Sequence, residues 1–334
     1  MYDSPGNGRY AAPWPPPVPP APQPGVIPLR PLGTGEILGG AFATMRRHWR
    51  TVFGVSAAVA AVTTGVSTAA QGIWFRKATE AGQAGDPQAA LREVLDAVKE
   101  RVPELALTSL IGLVGSIVAT AMLTVVVSRA ILGRPTSAGD AWRTARPELL
   151  RLTGLFCVVP LLILLPCAVG VAPGLLLAAG GETPIGVSLT LLGGMLGLAG
   201  SAWVWTRFNL AAPALMLEKQ GVASAMRRAV KLVRGDGWRV FGIQVLAALI
   251  VALVGMIIQI PVTAIQFVAN GGHMTDAYAS SWPFLITSGV VAAIGATISL
   301  PISAGVTALL YTDQRIRRES LDIELAQAAT AGTA

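Results

Sequence analysis

The chain has 334 residues, of which 53% are hydrophobic and 13% charged, with a mean hydropathy of +0.60. Soluble domains carry about 25% charged residues, so nearly all ordered mass here must sit in or against lipid, and the stretches between apolar segments, residues 76–104 among them, are too short for a separate catalytic domain. A formal charge of +7 could suit nucleic acid, but the placement of the basic residues follows membrane topology instead.

Residues 1–31 form a Pro-rich tail that contains Ala12–Pro20 (APWPPPVPP). Proline removes amide donors and favours polyproline II, so this tail is expected to be extended and disordered. It has no apolar h-region and does not read as a secretory signal. It is either a solvated tail or a ligand for a protein partner.

Six segments follow that contain no charged residue: 51–75, 105–128, 152–181, 185–206, 240–270 and 283–312. A bilayer core about 30 Å thick needs roughly 20 apolar residues at 1.5 Å each, and every segment meets that length. The expected fold is an all-α, polytopic membrane bundle of about six transmembrane helices over residues 32–318, followed by a short tail, 319–334. All but five of the 25 basic residues fall on one side of the alternating loops; the five are Arg76, Lys77, Arg92, Lys99 and Arg101. The positive-inside rule then puts both termini in the cytoplasm. Trp49, Trp74, Trp203, Trp205, Trp238 and Trp282 cluster near segment ends, as in an interfacial aromatic belt. In the first outer loop, Leu91, Val94, Leu95, Val98 and Val102 recur at helical spacing and predict a short surface helix after Pro87.

The stretches before the first, third and fifth segments are alike. Leu38, Ala41, Phe42 and Met45 precede Arg46 and Arg47; Ala138, Ala141, Trp142 and Ala145 precede Arg146. Met226, Ala229, Val230 and Val233 precede Arg234, with Arg227 and Arg228 among them. Each is an i, i+3, i+4, i+7 apolar stripe. The pattern predicts three parallel repeats, each an amphipathic helix feeding a transmembrane hairpin. These helices either lie at the headgroup boundary, where Arg46, Arg47, Arg146, Arg227, Arg228 and Arg234 would hold anionic lipid, or simply extend the spans.

Pro160, Pro166 and Pro173 fall in the third segment, Pro261 in the fifth and Pro301 in the sixth. Each removes a helical hydrogen bond. Pro173, Gln259, Pro261 and Gln266 could line a cavity between broken helices, or serve only packing. Gly170 with Gly174, and Gly193 with Gly197, let helices approach closely, either within the bundle or between copies of the chain. Cys157 and Cys167, ten positions apart on one helix, are about 15 Å apart along its axis and cannot bridge. No Asp, Glu, His, Lys or Arg sits mid-segment, no metal or cofactor motif occurs, and His48 and His273 lie on opposite sides.

Five stretches carry a resemblance: Arg30–Phe42 (RPLGTGEILGGAF), Leu132–Pro135, Ala211–Glu218 (AAPALMLE), Leu232–Gly242 (LVRGDGWRVFG) and Ala308–Glu319 (ALLYTDQRIRRE). There the chain resembles bacterial membrane proteins named after the membrane domain fused to some glycerophosphoryl diester phosphodiesterases. The resemblance implies a membrane-only protein of undefined role; the soluble enzyme's paired His and metal-binding carboxylates have no counterpart here. The function expected is non-enzymatic and without cofactor: a scaffold, regulator or lipid-binding protein at the cytoplasmic leaflet, with membrane lipids, a protein partner or a second copy as partners and no nucleic acid. The alternative is a transporter or permease component for an apolar or lipid-like substrate.

Overall fold

A computed structural model describes residues 30–79, 90–133, 136–180, 183–272 and 281–319. The Pro-rich tail through residue 29, the loop 80–89, His273 and the tail from residue 320 lie outside the described residues. Among the described residues the elements are all helical: α1 (Thr34–Arg47), α2 (Trp49–Thr79), α3 (Ala90–Ile131), α4 (Ala138–Ala145), α5 (Leu149–Ala179), α6 (Thr183–Phe208), α7 (Ala211–Glu218), α8 (Val222–Val233), α9 (Gly237–Ala269) and α10 (Trp282–Glu319). α2, α3, α5, α6, α9 and α10 contain the six stretches long and apolar enough to cross a membrane. The protein is an all-α membrane bundle, as the apolar segments led us to expect.

Local chemistry explains the boundaries. Glu36 accepts the Gly33 amide at 2.7 Å and so caps the start of α1. Ser137 caps α4 by accepting the Asp140 amide at 3.1 Å. α7 ends at Lys219, which is left-handed at φ 52°, and Gly235 turns the chain between α8 and α9 at φ +98°, a backbone conformation that disfavours other residues.

Two expectations change. The short surface helix of the first outer loop is continuous with the second span: α3 runs from Ala90 through Pro103 to Ile131. The prolines do not break their helices either, since α5 stays one helix through Pro160, Pro166 and Pro173, and α9 through Pro261. Ser201 of α6 donates to the Ile163 carbonyl at 2.6 Å, which supplies a polar contact next to the Pro166 defect.

α5 and α6 form a hairpin with a seam of small residues. A Cβ on Gly170 or Gly193 would collide with the other's carbonyl oxygen, and one on Gly197 would lie 2.6 Å from the Cys167 Cα. Both small-residue pairs therefore face each other within the bundle. Toward the far end the flanks of this hairpin are exposed, with Leu176 at 74%, as expected of surface solvated by acyl chains. α2, α3 and α10 pack together elsewhere, α9 leans on α10, and the hairpin meets the rest of the bundle mainly at the basic end.

At that end the short helices form a packed layer. Ile37 and Ala41 of α1, Ala141 and Ala145 of α4, and Ala225, Ala229 and Leu232 of α8 are buried against other helices. Part of each apolar stripe is thus covered by protein, while Phe42 of α1 and Trp142 of α4 stay exposed. α7 sits deepest, with Ala211, Ala214 and Leu215 fully buried.

Candidate functional site

The basic end holds two sets of charges that behave differently. The first set is paired with carboxylates, its arginines part-buried or exposed and Asp313 at its centre buried. Asp313 of α10 is fully buried; it accepts the Leu32 amide at 2.8 Å, Arg239 at 2.6 Å and Arg317 at 3.1 Å. The Leu32 carbonyl accepts from the same two arginines, Arg239 at 2.7 Å and Arg317 at 2.9 Å. One residue before α1 is thus clamped through both its backbone groups by α9 and α10. Gln314, also fully buried, can donate to the Leu232 carbonyl at 3.1 Å and accept from Arg239 at 3.3 Å, which adds α8 to the clamp.

A second knot lies beside it. Glu218, the last residue of α7, accepts from Arg228 at 2.9 Å, from Gln220 at 2.7 Å and from the Tyr311 hydroxyl, with Arg315 3.7 Å away. Glu319 joins Arg228 at 2.5 Å and Arg315 at 3.0 Å. Burial works against the Arg228 charge, but its bonds to Glu319 and Glu218 outweigh this and raise its pKa. Arg318 reaches the Arg234 carbonyl and lies 3.6 Å from Asp236, while Arg151 joins Glu148 at 2.9 Å and the Lys219 carbonyl at 3.3 Å. Such pairs gain little net energy over apolar packing, because both ions lose water; removing one partner is what costs.

The second set is exposed. Arg46, Arg47, Arg146, Arg227 and Arg234 have exposed side chains and no carboxylate partner among the described residues. Arg50 stacks on Trp49 at 5.4 Å and Arg207 on Trp203 at 4.3 Å, and Trp238 is 87% exposed at the start of α9. This is interfacial chemistry, with guanidinium and indole groups at one height. Between the end of α6 and the start of α9 lies a cavity of about 610 Å³, lined by Trp203, Arg207, Trp238 and Phe241 among others.

The structure does not bring the proposed cavity-lining residues together. Pro173 and Pro261 are exposed, Gln259 bonds along its own helix to Thr263 at 3.4 Å, and Gln266 donates to Thr287 of α10 at 2.5 Å. The 610 Å³ cavity lies between the fourth and fifth spans rather than the third and fifth. Among the expected headgroup ligands, Arg228 turns inward to its carboxylates while its neighbour Arg227 stays exposed. Cys157 and Cys167 are free thiols. Among the described residues no group of three or more His, Cys, Asp or Glu could hold a metal ion.

The sequence reading passed over Glu218, Asp313 and Glu319. A partial signal was present: Glu218 and Asp313 each close an apolar stretch, and Asp313 and Glu319 lie among Arg315, Arg317 and Arg318. Four of the five stretches that carry the family resemblance, around Leu32, Glu218, Arg239 and Asp313, meet in this one network.

The family whose description is Domain of unknown function (DUF7847) matches residues 81–313. No curated protein and no solved structure matches the chain.

Proposed function

Since the chain belongs to the DUF7847 family, which matches well over half of it, we propose a function from the charges at its basic end. The protein is a non-enzymatic membrane scaffold or regulator that holds anionic lipid headgroups at the cytoplasmic leaflet of a bacterial inner membrane, with both termini inside. One observation carries this reading: Arg228, Arg239, Arg315 and Arg317 are matched by carboxylates, whereas Arg46, Arg47, Arg146, Arg227 and Arg234 are exposed with none among the described residues. Phosphate-bearing headgroups are the counter-ions that a membrane offers there, at about 1 kcal/mol per basic residue near the surface. The non-enzymatic part rests on the same sorting, since Glu218, Asp313 and Glu319 are all held by arginine or tyrosine and leave no free general base among them. Kinship with the phosphodiesterase-associated membrane domains belongs to the same proposal and carries no hydrolytic activity with it.

The test uses detergent-purified protein equilibrated with mixed micelles of phosphatidylglycerol and phosphatidylcholine. Replacing Arg46, Arg47, Arg146, Arg227 and Arg234 together by Gln should remove most of the preference for phosphatidylglycerol. An unchanged preference would end the reading. A second reading, carriage of a lipid-like substrate, is favoured by the opening between α6 and α9. Lipid transfer across proteoliposomes that rises with protein content would support it.

A further inference from the structure

The cavity between α6 and α9 differs from the exposed arginines in shape and chemistry. It is concave, about 610 Å³, and lined by Trp203, Thr206, Arg207, Gly235, Trp238 and Phe241 together with small apolar residues. Phe241 makes edge contacts with both Trp205, at 6.5 Å, and Trp238, at 6.1 Å, so the aromatic wall is built from both helices. Arg207 is the one cation in the lining, its guanidinium lies flat on Trp203 at 4.3 Å, and it has no carboxylate partner among the described residues. The acidic residue beside the wall, Asp236, lies instead 3.6 Å from Arg318. Beyond the cavity the flanks of both helices are apolar and exposed, as at Leu198 of α6 and Leu249 of α9.

From this we infer that the α6–α9 cavity is a binding site for a single anionic phospholipid, with its phosphate on Arg207, its glycerol region against Trp203 and Trp238, and its acyl chains along the apolar flanks. The assignment rests on the lipid-holding reading above and gives it a defined site. Charge complementarity selects an anionic headgroup, because a cation stacked on indole in a partly desolvated wall lacks a counter-ion. The apolar lining selects a lipid over a soluble phosphate. The planar fork of Arg207 suits a phosphate better than a lysine would.

The test is native mass spectrometry of the full chain in detergent, titrated with phosphatidylglycerol and, separately, phosphatidylcholine. Wild type should retain one phosphatidylglycerol molecule at concentrations where phosphatidylcholine is lost. Arg207→Gln should weaken that first binding step about tenfold or more. Arg207→Lys should fall between the two, and Trp238→Ala, at an exposed position, should weaken it without loss of folding. Excess glycerol phosphate should leave the lipid in place. Equal retention by wild type, Arg207→Gln and Trp238→Ala would overturn the assignment, as would displacement by glycerol phosphate or a second copy of the chain bound in place of lipid. The fivefold arginine variant separates the two proposals: loss of bulk phosphatidylglycerol there, with Arg207→Gln unaffected, sinks the cavity and leaves the broader reading standing. Unchanged bulk lipid in the fivefold variant sinks the broader reading first.

Discussion

The Asp313 carboxylate accepts from Arg239 at 2.6 Å while the same arginine donates to the Leu32 carbonyl at 2.7 Å. This relationship joins residues that are 207 and 74 positions apart from Arg239 and fixes where the chain enters α1 relative to α9 and α10. It works because Asp313 is fully buried, so its second oxygen can also hold the Leu32 amide without competition from water.

Asp313→Asn should therefore be severely destabilising, by about 3 kcal/mol, since it leaves two arginines without their counter-ion. Thermal melting in detergent reads the loss. Arg239→Gln combined with Asp313→Asn should cost less than the two single changes added, because only Arg317 is then left without its counter-ion. Additive losses would argue against the clamp.

The hairpin seam makes a second prediction. Gly193→Ala places a methyl against the Gly170 carbonyl, so α5 and α6 must separate, at about 1–3 kcal/mol. Gly255→Ala, where a Cβ meets nothing within 4 Å, should be neutral or slightly stabilising. The two melting temperatures, taken under one detergent condition, check the contrast.

His48 gives a third. Burial, and then the charge of Arg47, hold its pKa below the ordinary 6.5, against a backbone bond at Thr44 that acts the other way. The folded state thus favours neutral His48. Its contribution to stability is intact above pH 6.5 and declines as pH falls from there through the lower folded-state pKa. Melting temperature should drop between pH 7 and pH 5 in wild type and drop less in His48→Gln. Parallel pH profiles would remove the effect.

Much of the fold was legible because hydrocarbon leaves a simple signature. The six charge-free segments correspond to helices, and the Arg-terminated stripes at Ala41, Ala141 and Ala229 correspond to short separate helices. α7 was not legible as an element. Ala211–Glu218 is buried nearly all round, so it shows no amphipathic period, and it follows the fourth span after only two residues. Proline left two readings open in the third and fifth spans, and α5 continues past Pro166, with the Ser201 hydroxyl bonded to the nearby Ile163 carbonyl. The sorting of arginines needed three dimensions. Arg227 and Arg228 are adjacent in sequence, and only the positions of Glu218 and Glu319 decide which of them turns inward.

That adjacent pair provides the most direct test of the division between charges that hold the fold and charges that hold lipid. Arg227→Gln and Arg228→Gln are compared for melting temperature and for phosphatidylglycerol retained per folded molecule. Arg227→Gln should leave melting within about 0.5 kcal/mol of wild type and lower retention by up to about fivefold. Arg228→Gln should lower melting and leave retention unchanged. If Arg228→Gln instead loses lipid while staying stable, or Arg227→Gln unfolds the protein and keeps its lipid, the division is wrong.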